Sequence, residues 1–206
     1  MIVIYIIVLL MSVVIHEIAH AYTARFFGDN TAAEQGRLTL NPFVHLDLLG
    51  SIILPLLLYV TSAGVLFGWA KPVPVNITRL KNTKIAIFLV ALAGPVSNFL
   101  LVIFCLFLSF LTSHPFFTQV LFYAITLNFI LAIFNLIPCP PLDGSKLIAT
   151  FLPIKWADFF YRYEMYGTVL LFALLYFGAL DHIFSIALYL SNKLFVLRFS
   201  LGGFYA

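Results

Sequence analysis

Charge is what this sequence has least of. Asp, Glu, Lys and Arg make up 9% of its residues, against roughly a quarter in an average soluble chain. So few charges cannot coat a soluble globule of 206 residues, and a hydrophobic share of 63% makes this an integral membrane protein. The formal net charge of +3 is spread among loops with no basic stripe, which excludes nucleic-acid binding. Cysteine is nearly missing: Cys105 and Cys139 lie in or beside apolar segments and read as buried thiols, not as a disulfide or a zinc knuckle. A basic n-region is lacking ahead of the first apolar run, so no cleavable signal peptide is expected and the first helix is retained as a working part. No internal repeat and no appended soluble domain is legible. Residues 1–206 read as one domain, with a core over 1–150 and additional helices over 151–206.

Against that background stands the stretch His16-Glu17-Ile18-Ala19-His20, with no charged residue before it. On a helix, positions i and i+4 share a face, so both imidazoles can hold one Zn²⁺ while Glu17 handles protons. With five His, shuffled chains would show H-E-x-x-H roughly once in 500. The plain alternative is a helix that buries these three groups against one another. In hydrocarbon that costs several kcal/mol unless something pairs them, and ionisable groups there are functional by default.

Taken in order, residues 1–27 read as one helix ending near Gly28-Asp29-Asn30. Residues 30–48 are polar and turn-forming, and the alternation from Gln35 to Leu40 suggests a short strand or hairpin. Residues 48–70 carry no charge but are interrupted by Gly50, Pro55, Gly64 and Gly68. A Pro-punctuated loop, Gly68 to Asn76, then leads to a basic patch of Arg79, Lys81 and Lys84. Between Lys84 and Asp143 no charged residue occurs, and Ser113-His114-Pro115 divides this run into spans over about 85–112 and 117–137. Pro138, Pro140 and Pro141 then unwind the backbone ahead of Asp143-Gly144. Irregular backbone at membrane depth is tolerated only where it lines a buried or wet cavity. The remainder, about 165–180 and 182–199, reads as two short spans or one bent hairpin. The fold class is therefore an all-α polytopic bundle of about five to six transmembrane helices. A short strand or hairpin and a re-entrant segment follow the first helix.

Lys71, Arg79, Lys81 and Lys84 place their loop in the cytoplasm, whereas the 113–116 turn has no Lys or Arg. Span 117–137 then returns inward and delivers Asp143 near the cytoplasmic face. If the first helix also ends inside, segment 48–70 must enter and leave on one side, which its breaks favour. A catalytic zinc takes three protein ligands. The metzincin pattern would put its third His at Phe26, so that class is out. Glu34, Glu164 and Asp143 remain. Asp143 is best placed, although a helix N-cap is the ordinary role of an Asp-Gly pair.

With His16-Glu17-x-x-His20, Gly94-Pro95-Val96-Ser97-Asn98 and Asn135-Leu136-Ile137-Pro138…Pro141-Leu142-Asp143-Gly144, the chain resembles the site-2 protease family of intramembrane zinc metalloproteases. It is most similar to the small bacterial branch that also carries Asn41-Pro42…His45-x-Asp47-x-x-Gly50 and Gly68-Trp69-Ala70-Lys71-Pro72-Val73, without PDZ or CBS domains. The resemblance implies one Zn²⁺ per chain held by His16, His20 and Asp143, Glu17 as general base, and a site facing the cytoplasm from a bacterial cell membrane. It puts Asn98 and Asn135 near the site as substrate or oxyanion partners, with helix–helix polar contacts as the equal alternative. His45, Asp47 and Lys71 are rim candidates. The implied reaction is hydrolysis of a peptide bond within or next to a transmembrane segment of a membrane-anchored protein. The 31–41 segment would pair with the unwound substrate by strand addition. The rival function is a membrane zinc or proton transporter using the same His/Asp site.

Overall fold

A computed structural model describes residues 2–53, 56–57, 60, 68–153 and 162–202. Helix α1 (Ile2–Phe26) contains neither Gly nor Pro. It ends in a Schellman motif: the Gly28 amide donates to the Arg25 carbonyl and the Asp29 amide to Ala24, at 2.9 and 3.0 Å. Gly28 takes φ +101°, which only glycine adopts without strain. One face of α1 carries the buried Ser12, Val14, His16, His20, Ala21 and Ala24, while Val3, Ile6, Ile7 and Phe26 stay exposed. Large apolar residues facing outward suit a lipid surround.

Helix α2 is a single turn, Thr31–Glu34. Helix α3 (Thr83–Phe110) follows Asn82, whose φ of +52° is one that Asn tolerates. Its buried face, Ala86, Val90, Ala91, Gly94, Pro95, Asn98 and Val102, repeats at helical spacing and is mostly small, so neighbouring backbones can come close. Helix α4 (Pro115–Asn135) starts with Pro in its first turn. Both pack against α1 and against each other. Turns over Leu136–Leu142 lead into the short α5 (Asp143–Ala149), which rests on α3. Helices α6 (Glu164–Tyr176) and α7 (Asp181–Gly202) close the bundle. Cys139 packs with Leu142, Leu171 and Leu180 in an apolar cluster, as a buried thiol should, and both cysteines are free.

One expectation needs correction and another is met in part. The predicted strand or hairpin over 35–40 is not formed, and no strand occurs among the described residues. Thr31–Glu34 coils instead, Gly36 turns the chain at φ +66°, and the next segment is held by a side chain. The buried Arg37 guanidinium donates to the Lys71 and Pro72 carbonyls at 2.7 and 3.3 Å, where a backbone ladder would otherwise run. Strand addition through 31–41 therefore has no strand to build on. Five to six spans were also expected. By length and composition three described helices can cross a membrane, α1, α3 and α4, and a fourth span arises if α6 and α7 count as one. The last two bend by 71° at their break, where Gly178 has φ +69°.

About half of the interval expected to re-enter, 48–70, lies outside the described residues; Leu48–Ile53 is a six-residue π-helical stretch. Its two ends nevertheless meet, because the Trp69 amide donates to the Gly50 carbonyl and the Lys71 amide to His45. The Lys81 amide likewise donates to the Phe27 carbonyl at 2.8 Å, so α1 ends where α3 begins. Both contacts fit the expectation that segment 48–70 enters and leaves on one side if the first helix ends where the 85–112 span begins.

Asp29 ties this side of the molecule together. Its buried carboxylate accepts from the Thr31 amide and hydroxyl and, at 2.6 Å, from the Asn76 amide. Burial pushes its pKa up, but the donors of Thr31 and Asn76 more than reverse this, and it lies below the usual carboxylate value. The stabilisation is therefore complete above the unfolded pKa and is lost as pH falls through the folded one. Asp29→Ala should lower stability by about 1–3 kcal/mol and flatten the acid limb. Thermal unfolding in detergent at several pH values measures both effects.

Candidate metal centre

Three ligand atoms converge between α1 and the start of α5. His16 Nε2, His20 Nε2 and Asp143 Oδ2 form a triangle with every edge 3.1 Å. His16 and His20 are one turn apart on α1, which sets their rings edge to face, and both are buried, as is Asp143. For metal–ligand bonds of about 2.0–2.1 Å, a tetrahedral site has edges of about 3.3 Å. The triangle therefore matches three corners of a zinc site.

The far sides of the imidazoles decide their chemistry. His16 Nδ1 lies 2.6 Å from the Asn98 side-chain oxygen, and His20 Nδ1 lies 2.6 Å from the Val90 carbonyl. A carbonyl only accepts, so His20 carries its proton on Nδ1. Asn98 presents its oxygen, so His16 does the same. Both Nε2 atoms are then bare lone pairs facing each other and a carboxylate. Three acceptors 3.1 Å apart repel unless a cation sits among them, and imidazole anchored through its other nitrogen is the usual zinc ligand. The donor set fits the ion that the motif predicts.

Close approach of α3 makes the arrangement possible. A Cβ on Gly94 would fall onto His20 Nε2 and the His16 ring. In the same turn Pro95 has no amide to donate to Ala91, which loosens the helix beside the Val90 carbonyl that holds His20. Asp143 comes from the first turn of α5, not from its cap: Leu142 occupies that position, with no side-chain cap. The ordinary N-cap role is therefore not what its carboxylate does. Lys146, one turn on, puts its ammonium 3.5 Å from the other Asp143 oxygen, leaving Oδ2 to the imidazoles. A side chain at Gly144 would strike the Leu136 and Ile137 carbonyls, so this tight return also depends on glycine.

A cavity of about 700 Å³ lies against the triangle. Its walls include Val13, Glu17, Trp69, Ala70, Pro72, Val73, Phe134, Asn135 and Phe172. Glu17 projects from α1 into this space, and one of its oxygens accepts from the Val73 amide at 2.7 Å. Of the other two carboxylates considered as ligands, Glu34 is exposed and paired with Arg79. Glu164 lines the cavity outside the triangle.

Asn98 is fully buried and bonded to His16, whereas Asn135 lines the cavity with its amide turned back onto the Leu131 carbonyl. His45, Asp47 and Lys71 line no part of the cavity. His45 is fully buried and bonds the Thr39 carbonyl, Asp47 accepts the Gly50 amide, and Lys71 joins His45 and Arg37 through its backbone. They hold up the wall that Trp69 to Val73 form. Three contributors escaped the sequence reading: Ser12, Asn128 and the Val90 carbonyl. The Asn128 amide donates to Ser12 Oγ and accepts from Asn98, at 2.8 and 2.7 Å. An amide within an otherwise apolar span was the available signal.

Comparison with known proteins agrees with this geometry. Residues 112–177 match peptidase family M50. The chain is 41% identical over 180 residues to "Putative zinc metalloprotease YwhC" of Bacillus subtilis (strain 168), covering 82% of this chain and 78% of that protein. It is 33% identical over 139 residues to "Putative zinc metalloprotease Rip2" of Mycolicibacterium smegmatis, and 35% over 140 residues to Rip2 of Mycobacterium tuberculosis. Each Rip2 match covers 66% of this chain and about half, 52%, of the longer relative. No solved structure matches.

Gly94 offers the sharpest test of the site. Overpacking costs about 1–3 kcal/mol, so Gly94→Ala should reduce zinc affinity by about ten- to a hundredfold. Chelator competition on the purified chain reads that change, and circular dichroism checks that helix content is kept.

Proposed function

The chain belongs to peptidase family M50, and on that footing we propose that it hydrolyses a peptide bond within or next to a transmembrane segment of a membrane-anchored protein. One observation carries this reading: a buried His16–His20–Asp143 triangle opens onto a cavity that also holds Glu17, within a bundle of membrane-length helices. His16, His20 and Asp143 hold one zinc ion. The ion, when bound, supplies Lewis acidity toward a water and a carbonyl.

The remaining work falls to the chain itself. Glu17 is the general base: the Val73 amide steadies one oxygen and leaves the other to take a proton from water and return it to the leaving amine. The apolar walls at Val13, Val73, Phe134 and Phe172 receive side chains from a membrane segment. A helical carbonyl is hydrogen-bonded and shielded, so the substrate must unwind before the bond can be reached. Asn135, at the cavity wall, is placed to bond an unwound backbone. Asn98 instead serves His16, because it is fully buried.

The enzyme works in the bacterial cytoplasmic membrane with its site toward the cytoplasm. Support for this comes from the loop bearing Lys71, Arg79 and Lys81, which borders the cavity through Trp69, Val73 and Leu80. Membership of a peptidase family leaves the transporter alternative without an observation in its favour.

Replacing Glu17 by Gln tests the mechanism. Cleavage of a co-expressed membrane-anchored substrate should fall by about 10²–10⁴-fold, while bound zinc stays near one per chain by elemental analysis. Retained cleavage would refute the assignment of the base. Comparing membrane proteomes with the wild-type chain and the Glu17→Gln variant would identify the substrate as a shortened, anchored protein.

A further inference from the structure

A line of buried polar groups runs from His16 through α3 and α4 and back to α1 one turn before His16, through residues that no motif includes beyond Asn98. Asn98 stands on α3, Asn128 on α4 and Ser12 on α1, and all three are nearly or fully inaccessible. His16 Nδ1 meets Asn98 Oδ1 at 2.6 Å. Asn98 Nδ2 donates to Asn128 Oδ1 at 2.7 Å. Asn128 Nδ2 donates to Ser12 Oγ and to the Ala124 carbonyl, both at 2.8 Å. The Ser12 hydroxyl donates to the Val8 carbonyl at 2.8 Å.

Such a chain could in principle run in either direction, because an amide can present its oxygen or its nitrogen. Its far end removes the freedom. The Ala124 and Val8 carbonyls are backbone acceptors that cannot turn around. If the Asn128 amide were reversed, its oxygen would sit 2.8 Å from the Ala124 oxygen, and its nitrogen would face the Asn98 nitrogen. The first contact repels whatever Asn98 does, and the second repels unless Asn98 also reverses, which would aim an N–H at His16 Nδ1. That imidazole would then have to carry its proton on Nε2, the atom that faces His20 and Asp143. In apolar surroundings no water is at hand to soften the choice.

We propose that Asn128 is a positioning residue: anchored on the Ala124 carbonyl and seconded by Ser12, it holds the Asn98 amide oxygen toward His16 and so keeps the His16 Nε2 lone pair available to the metal. The proposal rests on the zinc-protease reading above. Asn128 touches neither metal nor substrate and acts through Asn98 alone.

The test measures zinc affinity of the full-length chain in detergent by chelator competition, separately from activity. Asn128→Leu keeps the approximate size and removes both roles, so affinity should fall by about 10- to 100-fold, the usual effect of losing a partner behind a metal ligand. If the leucine chain fails to assemble, Asn128→Ala leaves the Asn98 Nδ2 only the long 3.5 Å contact to the Ser12 carbonyl, without added bulk, and should lose affinity similarly. Asn128→Asp is the rescue: a protonated carboxyl there offers the same acceptor to Asn98 and the same donor to Ala124, so affinity should stay close to wild type. Equal affinity in the wild-type and Leu or Ala chains would overturn the proposal. So would an Asp chain that loses as much zinc as the Leu chain, since packing would then be the cause. A wild-type chain that takes up no zinc would instead overturn the metalloprotease reading itself.

Discussion

Two imidazoles and a carboxylate cannot be sunk among apolar helices unless every polar atom finds a partner. Water is not available to satisfy what is left over, and each orphan costs several kcal/mol. That constraint organises the molecule. The outer nitrogens of His16 and His20 are met by the Asn98 side chain and the Val90 carbonyl, both on α3. The inner nitrogens converge with Asp143 on the position a divalent ion would neutralise. Helix α3 must therefore pass close to α1, which is why Gly94 and the small residues around it face that way.

Delivering Asp143 is the second demand. Its carboxylate lies far along the chain from the histidines, and it reaches them because α4 stops at Asn135 and the backbone turns through Leu136–Leu142. A helix continuing past that point would carry Asp143 away. The prolines that end the helix, and Gly144 against the Leu136 and Ile137 carbonyls, make the return tight enough. Pro141 and Leu142 of the same unwound stretch line the cavity, so the element that completes the triangle also walls the space beside it.

The polar loops after α1 serve the opposite wall. Arg37, His45 and Asp47 spend their hydrogen bonds on the backbone of 39, 50 and 71–72, and Asp29 holds Asn76. Trp69 to Val73 is thereby held beside Glu17, and the Val73 amide orients the carboxylate. Residues that stand outside the cavity thus fix the position of a residue within it.

Much of the site was legible in the sequence because its elements are local or conspicuous. Helical periodicity alone puts His16 and His20 on one face, and a carboxylate closing a long charge-free run stands out. Bringing His16, His20 and Asp143 to one ion also required α1 to end on the side where α3 begins, and the Lys81–Phe27 hydrogen bond agrees. Alternation over 35–40 misled, because Arg37 is buried for its guanidinium and not as one face of a strand. What only the tertiary structure decided is pairing over distance. Asn128, a single amide among apolar neighbours, acquires meaning only when α1, α3 and α4 bring Ser12, Asn98 and the Ala124 carbonyl within hydrogen-bonding distance of their partners. Hydrogen-bond direction depends on which acceptors are fixed in space, and a linear pattern of residues does not carry that information.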